Sequence, residues 1–180
     1  MKNILKYMKH LDYLLAFLLI VPCASYAQIR EKLKVEDNGY EWIKLSDGKG
    51  HYGAKLEFGR TLIPLSRNYS LVWFNEGKGI TGVFYVEKNG YEGACDINGR
   101  EIIAPNKYES VCFREEEGIT GYYSVKKNGY EGACDINGRE IIAPNKYESV
   151  CFHESEGITG YYSVKKNGYA GACDINGREI

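Results

Sequence analysis

Beyond its first 27 residues this 180-residue chain has no apolar run long enough to cross a membrane, and no stretch of ten or more residues has helical periodicity. It has no Cys-Xaa-Xaa-Cys, and only His51 and His153 follow residue 27, so the clustered thiolates and imidazoles of a metal site are missing. Also absent are a phosphate-cradling glycine motif, a nucleophile elbow and a zinc-binding helix. Excess positive charge is lacking too: Lys and Arg number 23 against 24 Asp and Glu. Nucleic-acid affinity comes from concentrated positive charge, so nucleic acid is a poor partner for this chain. These absences leave no catalytic, cofactor-binding or metal-binding residue to name.

The first residues fall into three zones: Lys2, Lys6 and Lys9, then an apolar run from Leu14 to Val21, then Ala24-Ser25-Tyr26-Ala27. This is the pattern of a secretory signal occupying residues 1–27, with cleavage expected before Gln28. The run is too short to span a bilayer comfortably and Pro22 closes it, so no transmembrane anchor is expected after cleavage. Pro22 directly before Cys23 also argues against a lipid-modified cysteine. The expected location is outside the cell or in the periplasm and cell envelope. Residues 28–36 read as an N-terminal linker.

The mature chain is organised by a repeat. Gly93, Gly132 and Gly171 lie in the same phrase, Gly-Tyr-Xaa-Gly-Ala-Cys-Asp-Ile-Asn-Gly-Arg-Glu-Ile, at a period of about 39 residues. Lys88 to Phe113 is identical to Lys127 to Phe152. A divergent earlier copy runs through Gly50-His51-Tyr52-Gly53, giving copies at about 37–75, 76–114, 115–153 and an incomplete 154–180. The first copy is atypical, with Lys55 and Trp73 at the cysteine positions and Phe58 at a turn asparagine, as suits a terminal cap. The last lacks counterparts of Ile142 to Phe152, which is expected either of a fragment or of an unfinished edge.

Within a copy, strand-like runs flank Asn89-Gly90 and Asn98-Gly99, then Asn128-Gly129 and Asn137-Gly138. An Asn-Gly pair between such runs predicts a tight hairpin, because both central residues of that turn need positive φ. Each copy is therefore a three-stranded antiparallel meander, with Ser149 to Phe152 as a candidate fourth strand. Alternation places Tyr130, Gly132, Cys134 and Ile136 on an expected core face, joined by Tyr123, Val125 and one of Ile141 and Ile142, with Glu131, Ala133 and Asp135 opposite. A unit of this size cannot bury its apolar face alone. The fold class is all-β: tandem meander repeats stacked as an open array or solenoid, with a partial β-propeller as the alternative.

Several side chains invite a chemical reading. Cys95, Cys112, Cys134, Cys151 and Cys173 suit either one disulfide per repeat or buried thiols; their odd number, and their absence from the first copy, favour thiols. Asp96-Ile97-Asn98-Gly99 echoes a calcium loop but lacks the later acidic ligands, so a turn is the better reading. Cys151 and His153 share a strand face, yet residues two apart on a strand are too distant for a direct bond. The acidic run Glu115-Glu116-Glu117 reads as a solvated loop. Tyrosine is abundant, at 16 residues. By alternation Tyr122 and Tyr161 oppose the core face and form a candidate exposed row beside Lys126 and Lys165, able to stack on sugar rings or anchor a protein.

The repeated phrase, continued through Ile-Ala-Pro-Xaa-Lys-Tyr-Glu-Ser-Val, resembles the WG-repeat family of bacterial β-repeat proteins. The likeness rests on Gly93, Asp96, Gly99, Ile102, Ile103, Tyr108 and Val111 and their equivalents one period on. At the family's signature tryptophan this chain has Tyr52, Glu92, Glu131 and Ala170. The resemblance implies a non-enzymatic binding or scaffold element of the bacterial envelope, with an unidentified protein or an envelope glycan as partner.

Overall fold

The computed structural model describes residues 32–34, 41–75, 82–115, 121–155 and 158–180. The stretch expected to be a secretory leader, most of the expected linker and most of the acidic run lie outside the described residues. Four antiparallel sheets follow one another along the chain. The first contains β1 (Lys32–Lys34), β2 (Glu41–Ser46), β3 (Tyr52–Leu56) and β4 (Thr61–Ile63). The second contains β5 (Leu71–Asn75), β6 (Val83–Lys88), β7 (Tyr91–Cys95) and β8 (Glu101–Tyr108). The third contains β9 (Ser110–Arg114), β10 (Tyr122–Lys127), β11 (Tyr130–Cys134) and β12 (Glu140–Tyr147). The fourth has β13 (Ser149–Ser155), β14 (Ile158–Lys166) and β15 (Tyr169–Cys173). In each sheet the strands pair in sequence order, as meanders, and none of the sheets closes into a barrel. The all-β tandem-repeat architecture expected from the period is the one observed.

Sheets and sequence copies are out of phase by one strand. Ser149 to Phe152 does not complete the sheet of its own copy; it opens the next one, with Val150 opposite Val164 and Phe152 opposite Tyr162. The third sheet begins in the same way, with Val111 opposite Val125 and Phe113 opposite Tyr123. Each of the three complete sequence copies is thereby divided between two sheets.

Apolar seams lie between successive sheets. Trp42, Ala54 and Ile63 meet Val72, Phe74, Phe84 and Val86 in the first seam. Val83, Tyr85, Ala94 and Ile103 meet Val111, Phe113, Tyr123 and Val125 in the second. Tyr122, Ala133 and Ile142 meet Val150, Phe152, Tyr162 and Val164 in the third. Inner sheets are thus covered on both faces, which revises the expectation of a single core face. Ala133, placed opposite the core by alternation, is fully buried, as is Cys134 on the other side. Tyr130, expected in the core, is 42% exposed because it directly follows the hairpin tip. Of the two adjacent isoleucines, Ile142 is buried and Ile141 only partly so.

The two Asn-Gly pairs of a copy make different turns. Asn128 and Gly129 both have positive φ, at 51° and 81°, as do Asn89 and Gly90. These are the mirror-image two-residue turns expected. At Asn98-Gly99 and Asn137-Gly138 only the glycine is at positive φ, which corrects the expectation of two identical hairpins. There the Gly99 N–H donates to the Asp96 carbonyl at 2.8 Å, while Asp96 Oδ1 accepts the Asn98 and Arg100 N–H groups at 2.9 and 2.8 Å. The aspartate shapes a longer loop by bonding its own downstream backbone. Its carbonyl oxygen and Oδ1 serve the turn.

Candidate functional site

The expected tyrosine row does not form. Tyr122 is only 4% exposed and lies in the third seam, against Phe152 and Tyr162 with ring centroids 6.0 and 5.6 Å away. Its period mate Tyr161 is 37% exposed, on the face of the fourth sheet turned away from that seam, stacked on His153 at 5.3 Å. Alternation alone separates the faces of a strand; it does not tell which face a neighbouring sheet covers. Lys126 and Lys165 are exposed as expected.

A different set of tyrosines forms a row. Tyr91, Tyr130 and Tyr169 are 39%, 42% and 80% exposed, one at the tip of each mirror-image hairpin. In register they face Lys88, Lys127 and Lys166 across the turn. The unit is Lys-Asn-Gly-Tyr, presented once in each of the second, third and fourth sheets on the same two-residue turn. Asn128 N–H donates to Glu109 Oε1 at 3.1 Å, tying the third-sheet tip to the loop before β9. Between the third and fourth tips runs a groove of about 470 Å³ lined by Tyr130, Asn145, Lys146, Glu148, Lys166 and Asn167. The signal was present in the sequence as the thrice-repeated Lys-Asn-Gly-Tyr, hidden by assigning Tyr130 to the core through its Cys134 face.

Each seam carries one recurrent polar clasp. Tyr108 donates its hydroxyl to Glu140 Oε2 at 2.7 Å, and Lys107 Nζ reaches the same oxygen at 2.5 Å. One period on, Tyr147 and Lys146 both reach Glu179 Oε1 at 2.5 Å. In the first seam Tyr69 donates to Glu101 Oε2 at 2.6 Å, with Arg67 Nη1 bonded to the Gly99 carbonyl at 3.0 Å. Burial would push the Glu140 carboxyl up, yet the Lys107 and Tyr108 hydrogen bonds outweigh it and hold the group below the ordinary glutamate range. Tyr147 is pushed up to about 12 by burial and by the bond it gives Glu179.

Beside these clasps lie the buried thiols. Cys134 Sγ sits 3.5 Å from the Tyr108 hydroxyl and Cys173 Sγ 3.6 Å from that of Tyr147. Burial pushes the Cys95 thiol up to about 12 and raises Cys134 as well, so both are protonated and poorly nucleophilic. All five described cysteines are free thiols, with Cys112 half-buried and Cys151 exposed. Cys151 and His153 do not pair: His153 Nε2 lies 2.7 Å from Ser163 Oγ, and the cysteine Sγ is directed at the Phe152 carbonyl. Ser163 Oγ in turn donates to the Cys151 carbonyl at 3.3 Å.

Residues 93–130 and 132–169 match, in tandem, the family model described as the WG containing repeat. Residues 93–169 are thus built of WG repeats. No curated protein and no solved structure matches the chain. Each matched WG repeat starts in the third strand of one sheet and ends at the first residue of the third strand of the next, so the family unit straddles a seam. The glutamates at the signature tryptophan position are part of that junction. Glu92 Oε2 accepts the Val111 N–H at 2.7 Å and Glu131 Oε2 accepts the Val150 N–H at 3.0 Å. A carboxylate here ties the third strand of one sheet to the first strand of the following one. At the remaining signature positions, Tyr52 bonds the Tyr69 carbonyl through its N–H at 2.8 Å, and Ala170 is exposed.

Proposed function

We propose that this WG-repeat chain is an exported, non-enzymatic binding or scaffold module of the cell envelope or the extracellular space. The observation that carries the proposal is the row of Tyr91, Tyr130 and Tyr169 at the hairpin tips, each beside a lysine and repeated sheet after sheet. A periodic row suits an extended or repetitive partner, because every tip offers the same contact and weak contacts add through effective concentration. Tyrosine supplies a rigid apolar ring with a polar end, which is well suited to recognition. The seam carboxylates and two of the buried thiols are engaged in holding sheets together, which supports a structural role for them over a catalytic one. The leader pattern of residues 1–27 supports export.

The partner class follows from the same surface. A protein partner is the first reading, and the ring-plus-lysine tips also favour an envelope glycan, since sugar rings stack on exposed tyrosine faces. The combined substitution Tyr91→Ala, Tyr130→Ala and Tyr169→Ala on the mature chain is expected to leave the melting temperature nearly unchanged. It should also abolish capture of partners by mild cross-linking and any glycan-array signal. Retention of all binding by that variant would overturn the assignment. Intact mass of the product recovered outside the cytoplasm, expected to begin at Gln28, tests export separately.

A further inference from the structure

The three seams are built on one plan, and one of the positions at which they differ changes how the space is filled. By strand register, Trp42, Val83 and Tyr122 occupy equivalent places: each begins or nearly begins the second strand of its sheet, two residues before the partner of the buried Ala54, Ala94 or Ala133. In the first seam the Trp42 ring packs on Phe74 and Phe84, with centroids 5.7 and 5.2 Å away. In the third the Tyr122 ring packs on Phe152 and Tyr162. The receiving aromatic pair persists in the second seam as Phe113 and Tyr123, 5.1 Å apart, the same separation as Phe152 and Tyr162. There the residue that should cover it is Val83.

The second seam accordingly holds a cavity of about 190 Å³ whose lining includes Val83, Phe113 and Tyr123, with Asp96, Arg100 and Glu101 supplying polar groups. Tyr85 does not fill it; from two residues along β6 it accepts the Phe113 N–H at 2.6 Å. In the third seam Tyr122 itself provides that acceptor, to the Phe152 N–H at 3.4 Å. Moving the tyrosine along β6 keeps the backbone bond and leaves the ring space open. A cavity of about 150 Å³ admits benzene, so the space here is large enough for one substituted six-membered ring.

We propose that the cleft between the second and third sheets is a binding site for a single phenol ring. The ring stacks on Phe113 and Tyr123 in the place that Tyr122 takes one seam on, and its hydroxyl donates to the carboxylate of Asp96 or Glu101. The phenol is either a free small molecule or a tyrosine side chain of a partner. This site is separate from the hairpin tips and does not depend on export or on the tip row.

The test is calorimetric titration of the mature chain with p-cresol, with the blocked tripeptide Gly-Tyr-Gly, and with cyclohexanol as the non-aromatic control. Saturable binding of p-cresol without the tripeptide assigns the site to free phenols; binding of both admits a tyrosine of a partner. Val83→Tyr should abolish binding and raise the melting temperature by filling the space. Val83→Leu, a smaller change that the fold should accept, is expected to weaken binding about tenfold. Failure of p-cresol and the tripeptide alike, equal binding of cyclohexanol, or unchanged affinity in a folded Val83 variant would each overturn the proposal.

Discussion

A single missing methyl group decides how closely two strands approach at Gly132. A Cβ built there would stand 2.4 Å from the Ile142 carbonyl oxygen and 2.8 Å from the Pro144 nitrogen, both backbone atoms that cannot turn aside. The neighbouring register shifts in the β11–β12 pairing mark the same crowding. At Gly171, the equivalent site on β15, the nearest contact is Val164 Cγ2 at an ordinary 3.5 Å. Gly132→Ala should therefore cost about 2–4 kcal/mol, and Gly171→Ala less than about 0.5 kcal/mol, in paired urea melts. Equal losses would show that the crowding at Gly132 relaxes freely. The sequence makes both glycines look alike; what separates them is a fourth strand whose contacts no local pattern encodes.

At the scale of strands and hairpins, the turn at Asn128-Gly129 was fully legible, because positive φ at two adjacent residues is a local demand that Asn and Gly satisfy alone. The covered faces were not, because β11 is buried by a sheet in front and another behind, and a period of two then carries no inside or outside. That is why alternation alone puts Tyr122 on the surface and Tyr130 in the core. The clasp joining β8 to β12 was equally hidden, being built from Tyr108, Lys107 and Glu140 in different copies. Its sign is definite. With the Glu140 pKa depressed on folding, the stabilisation is complete above the unfolded glutamate value of about 4.3 and is lost as pH falls through the lower folded value. Glu140→Gln should flatten the acid limb of the stability curve, followed by fluorescence melts between pH 5 and 2. An acid limb unchanged by the substitution would remove the clasp from the account.

For the whole molecule, stability is a chain of nearest-neighbour seams, and damage to one need not reach the next but one. Phe152 belongs to the third seam alone. Phe152→Ala, at about 3–5 kcal/mol, should speed deuterium uptake throughout β13 to β15 while β5 to β8 keep their protection. Uniform loss of protection across all four sheets would mean that the stack unfolds as one body. The period of about 39 residues alone implies this one-dimensional architecture; which sheet receives each strand is decided by pairing between copies, which no single copy encodes.

The one-strand offset between sequence copy and sheet has a consequence for how such a molecule changes length. A duplication of one period that begins anywhere between Lys88 and Phe113, even inside a strand, joins identical phrases and restores the donor and the recipient sheet together. Growth there adds one four-stranded sheet at a time, wherever within those phrases the cut falls.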